Sequence, residues 1–333
     1  MTSSVQTLVQ PFRLFEVRLT GRRPLSDNFV RFTFSGADLD RFADNGYDQR
    51  IKLIFPVAGD DFGDGLGTGS GAGADSGCAA LMGSQEDWYT VWRDLPDETR
   101  PPIRTYTIRA VRPEQGEIDV DIVLHGLVGV ASTWASTAPL GSSLIICGPN
   151  ADHDGVHGGI DFHLPARTGR ILVAGDETAL PAIANILEKL PADARGCALV
   201  EVPDAGDSAA LPSHPGIEVI VVGRGARAHG EALVPLVREH AGRLLDDAAA
   251  PVTFSSAASA GPVALDDVDV DHDMLWEVPE EDPEAAGTPL YAWLAGEAGV
   301  IKLLRRHLVA ERGIDRRSVA FMGYWRHGKS EGD

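Results

Sequence analysis

The sequence of 333 residues has few of the features that mark secreted, membrane or nucleic-acid-binding proteins. Its three cysteines, Cys78, Cys147 and Cys197, are far apart and form no CxxC pair, so neither a disulfide framework nor a CxxC site is predicted. No apolar run is long enough to span a bilayer, and the N-terminus has no signal-peptide pattern. The net charge of −20 argues against a broad nucleic-acid surface. We therefore expect a soluble, reduced, cytoplasmic protein with no membrane span.

A strict GxGxxG phosphate-binding motif between a strand and a helix is also missing, although the chain has 37 glycines. Many of them fall between about residues 58 and 98, a stretch that is also rich in Ser and Asp and poor in apolar residues. A phosphate cradle would need a strand before the glycines and a helix after them. We predict an inserted, mobile loop here instead.

A histidine-containing segment, "DHDGVHGGIDFH", offers a possible metal site at His153, His157 and His163. Its glycines argue against a helix that would align the first two side chains, and no carboxylate partner is obvious. We predict a loop without a metal.

The first 150 residues have the pattern of an antiparallel β-barrel. Short runs rich in Val, Ile, Phe and Thr, such as "FRLFEVRL" and "NFVRFTFSG", alternate with Gly, Pro, Asp and Asn. "ASTWASTA" predicts one short helix, with Ser132 as its cap and Pro139 beyond its end. We place this domain at residues 8–150.

The pattern changes in the second half, where compact apolar strands alternate with amphipathic helices. "ILVAG", "CALVEV", "IEVIVV", "LYAWLAG" and "SVAFMGYW" predict strands, and the segments between them predict helices at a spacing of three to four residues. This alternation favours a doubly wound parallel sheet. We place this α/β domain at residues 166–328, with an acidic insertion at about 245–288.

A barrel followed by a nucleotide-type α/β domain is the order found in flavin reductases of the ferredoxin-reductase type. In "IRTYTIRA", strand alternation places Arg104 and Tyr106 on one face and Thr105 and Thr107 on the other. A flavin needs an arginine for its diphosphate, an aromatic ring to stack on, and a hydroxyl or amide near N5. A rim salt bridge, cross-strand packing or strand propensity would also explain these residues.

The same stretch resembles the flavin motif R-x-Y-[ST], in the form found in siderophore-interacting proteins, a family of FAD-dependent ferric-siderophore reductases. "DIVLHG…GVASTWA" resembles the second flavin segment of that family, and "GYWRHG" resembles its C-terminal signature. The resemblance covers nearly the whole chain except the two insertions. The FAD-contacting positions that it implies are Arg104, Thr105, Tyr106, Thr107, Asp121, Val123, His125, Ala131, Ser132 and Trp134. Trp134 fits a core position equally well, and the N-terminus of its helix would offer free N–H groups to the diphosphate.

On the α/β side, "AGDETALP" and "AGEAG" are strand–helix turns of the kind that bind dinucleotides at the carboxyl end of a parallel sheet. A turn and a helix cap would explain the same residues without a ligand. The resemblance implies that the NAD(P)H-contacting positions are Asp176, Glu177, Thr178, Ala179, Gly296, Glu297 and Tyr324. A ribose contact at Glu201 would favour NADH, and a 2′-phosphate contact at Arg224 and Arg227 would favour NADPH. The sequence leaves this choice open.

The implied reaction is transfer of hydride from NADPH or NADH to FAD near Tyr106 and Thr107, followed by reduction of a ferric siderophore and release of Fe(II) in the cytoplasm. No acid/base residue is needed for this chemistry. Lys52 and Arg326 stand where the family often has basic residues for the siderophore, although either would equally suit a solvated surface. Three alternatives remain: another electron partner such as ferredoxin or a different metal chelate, a siderophore-binding protein with little turnover, and a scaffold without flavin. We expect a monomer.

Overall fold

The computed structural model describes residues 9–57, 76–124, 126, 129–247, 252–253, 276–279 and 287–328. Within these ranges the chain forms two sheets in sequence order. Each sheet has its own apolar core.

The N-terminal sheet is antiparallel and curls around its core. Its strands are β1 (Phe12–Pro24), β2 (Phe29–Ser35), β3 (Arg50–Ile54), β4 (Ile103–Thr107), β5 (Ala110–Arg112), β6 (Glu117–Val123) and β7 (Ser143–Pro149). They are ordered β4-β3-β7-β1-β2-β6-β5. On β1, the inward side chains of Phe15, Val17 and Leu19 are buried and alternate with exposed ones, which is the pattern of a strand with one buried face. The predicted antiparallel barrel is confirmed.

Two short helices, α1 (Gly77–Met82) and α2 (Trp88–Asp94), cover part of the outer face of this sheet. Cys78 and Leu81 pack with Leu14 and Ile54 in a second apolar cluster outside the barrel core. The predicted loop over residues 58–98 is therefore wrong from residue 76 to residue 94. The reason is that apolar side chains on these helices bury the outer face of β1 and β3, which would otherwise be exposed. Residues 58–75 lie outside the described ranges.

The predicted short helix is present as α3 (Val130–Thr137), which packs on the barrel core. The ring of Trp134 lies 5.7–6.3 Å from the rings of Phe32, Phe34 and Phe55, measured between centroids. Trp134 therefore packs against the barrel core. The predicted cap is wrong, because the helix begins one turn earlier with Gly129 at the N-cap and Ser132 inside the first turn.

The C-terminal sheet has a parallel centre with an antiparallel strand at one edge. Its strands are β8 (Arg167–Gly175), β9 (Gly196–Val202), β10 (Ile217–Gly223), β11 (Val252–Thr253), β12 (Trp276–Glu277), β13 (Thr288–Glu297) and β14 (Val319–Trp325). The order is β10-β9-β8-β13-β14-β12, with β12 antiparallel to β14 and β11 antiparallel to β8. The predicted acidic insertion at 245–288 lies mostly outside the described residues.

Helices pack on both faces of this sheet, so it is doubly wound as predicted. Helix α4 (Leu180–Lys189) lies on one face, while α5 (Leu233–Asp246) and α6 (Ala298–Arg305) lie on the other. Gly175 ends β8 where a Cβ atom would lie 2.5 Å from the carbonyl oxygen of Ala295, so the turn into α4 requires glycine. Of the helices in the described ranges, none is long and apolar enough to cross a membrane.

Candidate functional site

The predicted flavin strand, β4, lies at the edge of the barrel sheet and pairs with β3. Their register sets Arg104 opposite Leu53 and Tyr106 opposite Ile51. Since both partners belong to the barrel core, the half-buried Tyr106 ring packs against that core. The other face carries Thr105, whose hydroxyl accepts a 2.9 Å hydrogen bond from the Lys52 ammonium. Neither face is purely apolar, because one carries Arg104 beside Tyr106 and the other carries the hydrogen-bonded Thr105.

Helix α3 is linked to the segment before β4 through Phe55. Trp134 contacts Phe55, and the Phe55 N–H donates to the Pro102 carbonyl just before β4. Gly129 has φ +80°, and a Cβ placed there would meet no described atom within 4 Å. Within the described residues, no side chain caps this helix. First-turn N–H groups of a helix are donors of the kind that an anionic diphosphate binds.

These observations test whether the barrel suits FAD. Strand β4 carries an arginine and a half-buried aromatic ring, and α3 begins without a side-chain cap; these are the donors and the stacking surface that the cofactor needs. Thr107 closes β4 with only 6% of its surface exposed, opposite Arg50. The residues fit the cofactor. His125 lies outside the described residues.

Two predicted FAD positions on β6 have other partners in the structure. Asp121 is buried and accepts hydrogen bonds of 2.6 and 2.7 Å from Arg31, and the Arg109 Nε atom lies 3.7 Å from it. Val123 packs against the core of the second domain. Any contact of Asp121 with FAD would therefore have to come from its backbone, and its role as a cofactor residue remains a prediction.

On the α/β domain, Asp176 joins both of the predicted cofactor turns. Its carboxylate accepts hydrogen bonds from the N–H and hydroxyl of Thr178, from the Glu297 N–H and from the Trp325 indole, at 2.5–2.9 Å. Burial, and then the neighbouring Glu177 carboxylate, raise the pKa of Asp176 to about 6. Asp176 thus fixes the geometry of the edge at which the parallel strands end, which we call the donor edge.

The Glu177 side chain forms a buried ion pair with Arg224. It accepts two 2.7 Å hydrogen bonds from Arg224, and His229 lies 3.3 Å from it. Burial alone would raise the pKa of Glu177, but the hydrogen bonds and charge of Arg224 outweigh it and lower that pKa. Ala179 is fully buried, so Thr178 is the half-exposed side chain of the turn 176–179.

The residues predicted to select between NADH and NADPH have hydrogen-bond partners within the protein. Glu201 is fully buried and accepts hydrogen bonds from the N–H groups of Gly230, Ala232 and Leu233 at the start of α5. Arg224 is held by Glu177, and Arg227 donates to the carbonyls of Gly223 and Arg224. In this arrangement Glu201 and Arg224 are both buried and hydrogen-bonded within the protein, while Arg227 is exposed.

The remaining predicted donor residues also lie at this edge. Gly296 approaches Asp176, since a Cβ at Gly296 would lie 2.6 Å from a carboxylate oxygen. Glu297 caps α6 by accepting from the Val300 N–H at 2.9 Å. The Tyr324 hydroxyl is buried and has no hydrogen-bond partner among the described residues, and burial raises its pKa well above the ordinary value. The structure therefore brings these predicted positions to one edge, although the side chains of Asp176, Glu177 and Glu297 are engaged in hydrogen bonds within the protein.

Comparison with known proteins agrees with both domains. Residues 18–153 match the model of the siderophore-interacting FAD-binding domain, and residues 168–328 match that of the siderophore-interacting protein. The chain belongs to the siderophore-interacting protein family. An uncharacterized protein of Mycobacterium tuberculosis is 34% identical over 325 residues, which cover 97% of this chain and 93% of that one. This membership confirms the resemblance and makes the chain an FAD-dependent oxidoreductase.

Two further proteins are similar to this chain along most of their length. The ferric vibriobactin reductase ViuB of Vibrio cholerae is 29% identical over 310 residues, covering 93% of this chain and 88% of ViuB. The siderophore-interacting protein SipS from Aeromonas hydrophila has a TM-score of 0.59 at 26% identity, covering 96% of this chain and 94% of SipS. The fold is ferredoxin-reductase-like. The ferredoxin reductase of carbazole 1,9a-dioxygenase has a TM-score of 0.52 at 13% identity, covering 95% of this chain and 71% of that one.

The two basic residues expected at a siderophore lie on different domains of this family member. Lys52 lies on β3 beside the predicted flavin residue Thr105, and Arg326 directly follows β14 at the donor edge, where it is half-buried. The roles of both residues remain predictions.

The three histidines of the glycine-rich segment do not converge with acidic residues on a metal. The imidazoles of His153 and His157 lie 5.7 Å apart, and their ring nitrogens contact the carbonyls of Val9 and Asn150. In the part of the chain that the structure describes, no group of three His, Cys, Asp or Glu residues could hold a metal ion.

Sequence reasoning missed a polar cluster between the two domains. Asp48, which precedes β3, is fully buried and accepts from the N–H groups of Asp161 and Phe162 and from the Trp293 indole, at 3.0–3.2 Å. Arg50 lies 3.4 Å from Asp161 and stacks on Trp276. The sequence holds no local signal for this cluster, because its members come from four distant segments.

Proposed function

We propose that this chain reduces a ferric siderophore in the cytoplasm, with FAD on the barrel and NADPH or NADH as the electron donor. The observation that carries the proposal is a barrel whose edge strand β4 bears Arg104 and the half-buried Tyr106 and whose core carries α3, a helix without a side-chain cap at its N-terminus. ViuB, a relative over most of the chain, is named as a reductase of one such ferric chelate. When bound, FAD couples a two-electron hydride donor to one-electron reduction of iron.

The chain's own residues provide binding and orientation. Arg104 and the first-turn N–H groups of α3 balance the diphosphate charge, and the Tyr106 ring provides a flat stacking surface. Asp176 holds the two turns of the donor edge together, so that a nicotinamide meets a preformed surface. Fe(III) is held by hard oxygen ligands far more tightly than Fe(II), so reduction releases the metal.

A second candidate donor is ferredoxin. It is favoured by the engagement of Glu201 and Arg224 within the protein, because both side chains would otherwise recognise an adenosine ribose. An electron-transfer protein would need no dinucleotide pocket.

A visible spectrum of the FAD-loaded protein separates these proposals. We expect NADH or NADPH to bleach the flavin band, and addition of a ferric siderophore under anaerobic conditions to restore it. Bleaching by reduced ferredoxin alone would support the second donor. If bound FAD is reduced but the ferric chelate does not reoxidise it, the proposed substrate is wrong.

Arg104→Ala is expected to weaken FAD binding. Loss of a charge-assisted hydrogen bond of about 2 kcal/mol corresponds to roughly a thirtyfold increase in Kd. The Kd is measured from the quenching of FAD fluorescence on titration. Arg13→Ala is the control, since Arg13 lies on β1 and pairs with Asp38. Equal affinity of wild type and Arg104→Ala would remove Arg104 from the flavin site.

Lys52→Met is expected to raise the KM for an anionic ferric chelate by roughly tenfold, because a positive charge near the substrate is lost. An uncharged ferric chelate should show little change. Both constants come from initial rates with the same FAD-loaded preparation. A fall in FAD affinity in this variant would instead mean that Lys52 supports flavin binding, through its hydrogen bond to Thr105 on β4.

A further inference from the structure

Asn185 is a buried amide in the middle of α4, on the side that contacts the barrel domain. It is 4% exposed and is surrounded along the helix by apolar residues such as Ile183 and Ile186. A buried amide is costly unless its donors and acceptor are all satisfied. An apolar residue of similar volume would pack here without needing hydrogen-bond partners, so the presence of an amide calls for an explanation.

All of its hydrogen bonds cross to the other domain. Its Nδ2 atom donates to the carbonyls of Tyr47 and Ile108, both at 2.8 Å, and its Oδ1 atom accepts from Arg109 at 3.1 Å. The orientation of the amide is fixed by these partners, because two carbonyls need donors and a guanidinium needs an acceptor.

The partners lie at the end of the flavin strand. Ile108 directly follows Thr107, the last residue of β4, and its N–H donates to the Gln49 carbonyl. Tyr47 precedes Asp48, which binds the connecting segment and Trp293. On the other side, α4 begins immediately after the turn 176–179 of the donor edge. One amide therefore links the helix of the donor edge to the residue next to Thr107.

We propose that Asn185 is a positioning residue that sets the distance between the donor edge and the end of β4. Its role rests on the proposed function, because hydride transfer needs the reacting atoms about 3–3.5 Å apart, and small misplacements slow it strongly. Asn185 contacts no cofactor in this role. It acts by fixing the helix of one domain against the backbone of the other through two donors and one acceptor.

The matched control is Glu188→Gln, one turn further along α4. Glu188 also binds Arg109 across the interface, at 2.5 and 3.0 Å, but its side chain is 44% exposed. Exposed ion pairs contribute little, so this variant should behave as wild type.

The test is Asn185→Leu in the FAD-loaded protein. We expect the rate of flavin bleaching by NADH or NADPH to fall roughly tenfold to a hundredfold, with a larger isotope effect from a donor deuterated at the transferred position. The Kd for FAD and the rate at which a ferric chelate reoxidises dithionite-reduced protein should stay within about twofold, since neither depends on the distance to the donor. Asn185→Ser, which keeps one short polar group, is used if the leucine variant does not fold.

A readout without cofactor accompanies the kinetics. In the protein without FAD, hydrogen exchange at the amides of residues 47–50 and 108–109 should rise in Asn185→Leu and stay unchanged in Glu188→Gln. Unchanged bleaching in the leucine variant, or equal losses in bleaching, reoxidation and FAD affinity, would overturn the positioning role. If wild type itself is bleached by neither nicotinamide, the proposed donor fails and the positioning role fails with it.

Discussion

Arg224→Met is expected to lower the free energy of unfolding by about 3–5 kcal/mol at pH 7, because it leaves buried carboxylates without their cation. Arg224 makes two 2.7 Å hydrogen bonds to Glu177 and lies 3.6 Å from Glu201. The carboxylates are 1% and 0% exposed, so water cannot replace the guanidinium. Chemical denaturation of the variant and of wild type measures the difference.

The loss should also depend on pH. In wild type Arg224 lowers the pKa of Glu177, so this carboxylate's contribution to stability is present above its ordinary pKa and is lost as pH falls through the lowered one. Without Arg224, burial dominates and raises that pKa, so the variant loses stability as pH rises. We therefore expect a larger difference at pH 8 than at pH 4.5.

Two control variants isolate the buried pair. Replacing both partners, as Glu177→Leu with Arg224→Met, should recover much of the loss, since the unpaired Glu177 charge is removed while Glu201 keeps its three N–H donors. Arg243→Met removes an exposed pair with Glu218, whose side chains are 48% and 54% exposed, and should cost less than about 1 kcal/mol. A loss in Arg224→Met that the double variant does not recover would mean that packing around the side chain, and not the charge pair, carries the effect.

The sequence was sufficient for the two-domain order because that order depends on hydrophobic periodicity. Strands of the barrel alternate buried and exposed residues, and α4 repeats apolar residues at three to four positions, as at Leu180, Ile183 and Leu187. Such patterns survive without knowledge of tertiary contacts. The donor-side positions that resemble the family's motifs were likewise brought to one edge of the parallel sheet, whereas Asp121 and Val123 on the barrel have partners within the protein.

The helices α1 and α2 were missed for a local reason. They follow a glycine-rich stretch, and each is only six or seven residues long. The apolar spacing of Trp88, Val91, Trp92 and Leu95 does follow a helical period, and these residues pack on the outer face of the barrel. Treating the glycine-rich stretch and this segment as one insertion concealed that spacing.

Polar roles could not be predicted for a different reason. Glu201 and Arg224 end neighbouring strands, where the sequence allows either a ligand or an internal partner. The choice is decided by residues far away in sequence: the start of α5 for Glu201, and the donor turn for Arg224. Asn185 shows the same limit, since its three partners all belong to the other domain.

Asp48→Ala is expected to lower the free energy of unfolding by about 3 kcal/mol or more, because three buried donors lose their acceptor. These donors are the N–H groups of Asp161 and Phe162 and the Trp293 indole, which together tie the barrel to the connecting segment and to β13. Thermal or chemical unfolding at pH 5 measures the loss. Asp38→Ala, at an exposed aspartate, is the control.

Asp48→Asn tests the charge separately from the acceptor. Burial, and then Asp161, raise the pKa of Asp48 to about 6 from an ordinary value of 3.8. The folded state then binds more protons than the unfolded state between these two values, so wild type loses stability as pH rises through this window, by on the order of 2 kcal/mol. Asparagine keeps an acceptor oxygen but does not titrate, so the stability of Asp48→Asn relative to wild type should increase by a similar amount from pH 4 to pH 7.

The two Asp48 variants together decide what this side chain does between the domains. Arg50 is the cation that faces the cluster, while Asp161 and the Tyr324 hydroxyl face it without positive charge. If the stability difference between Asp48→Asn and wild type is flat across this pH range, Asp48 is ionised throughout and Arg50 compensates its charge. If the difference rises as expected, the carboxylate is retained at a cost in stability near pH 7 for the three donors that it binds. Its contribution is then to fix how the domains meet, which is the same geometry that Asn185 holds from the other side.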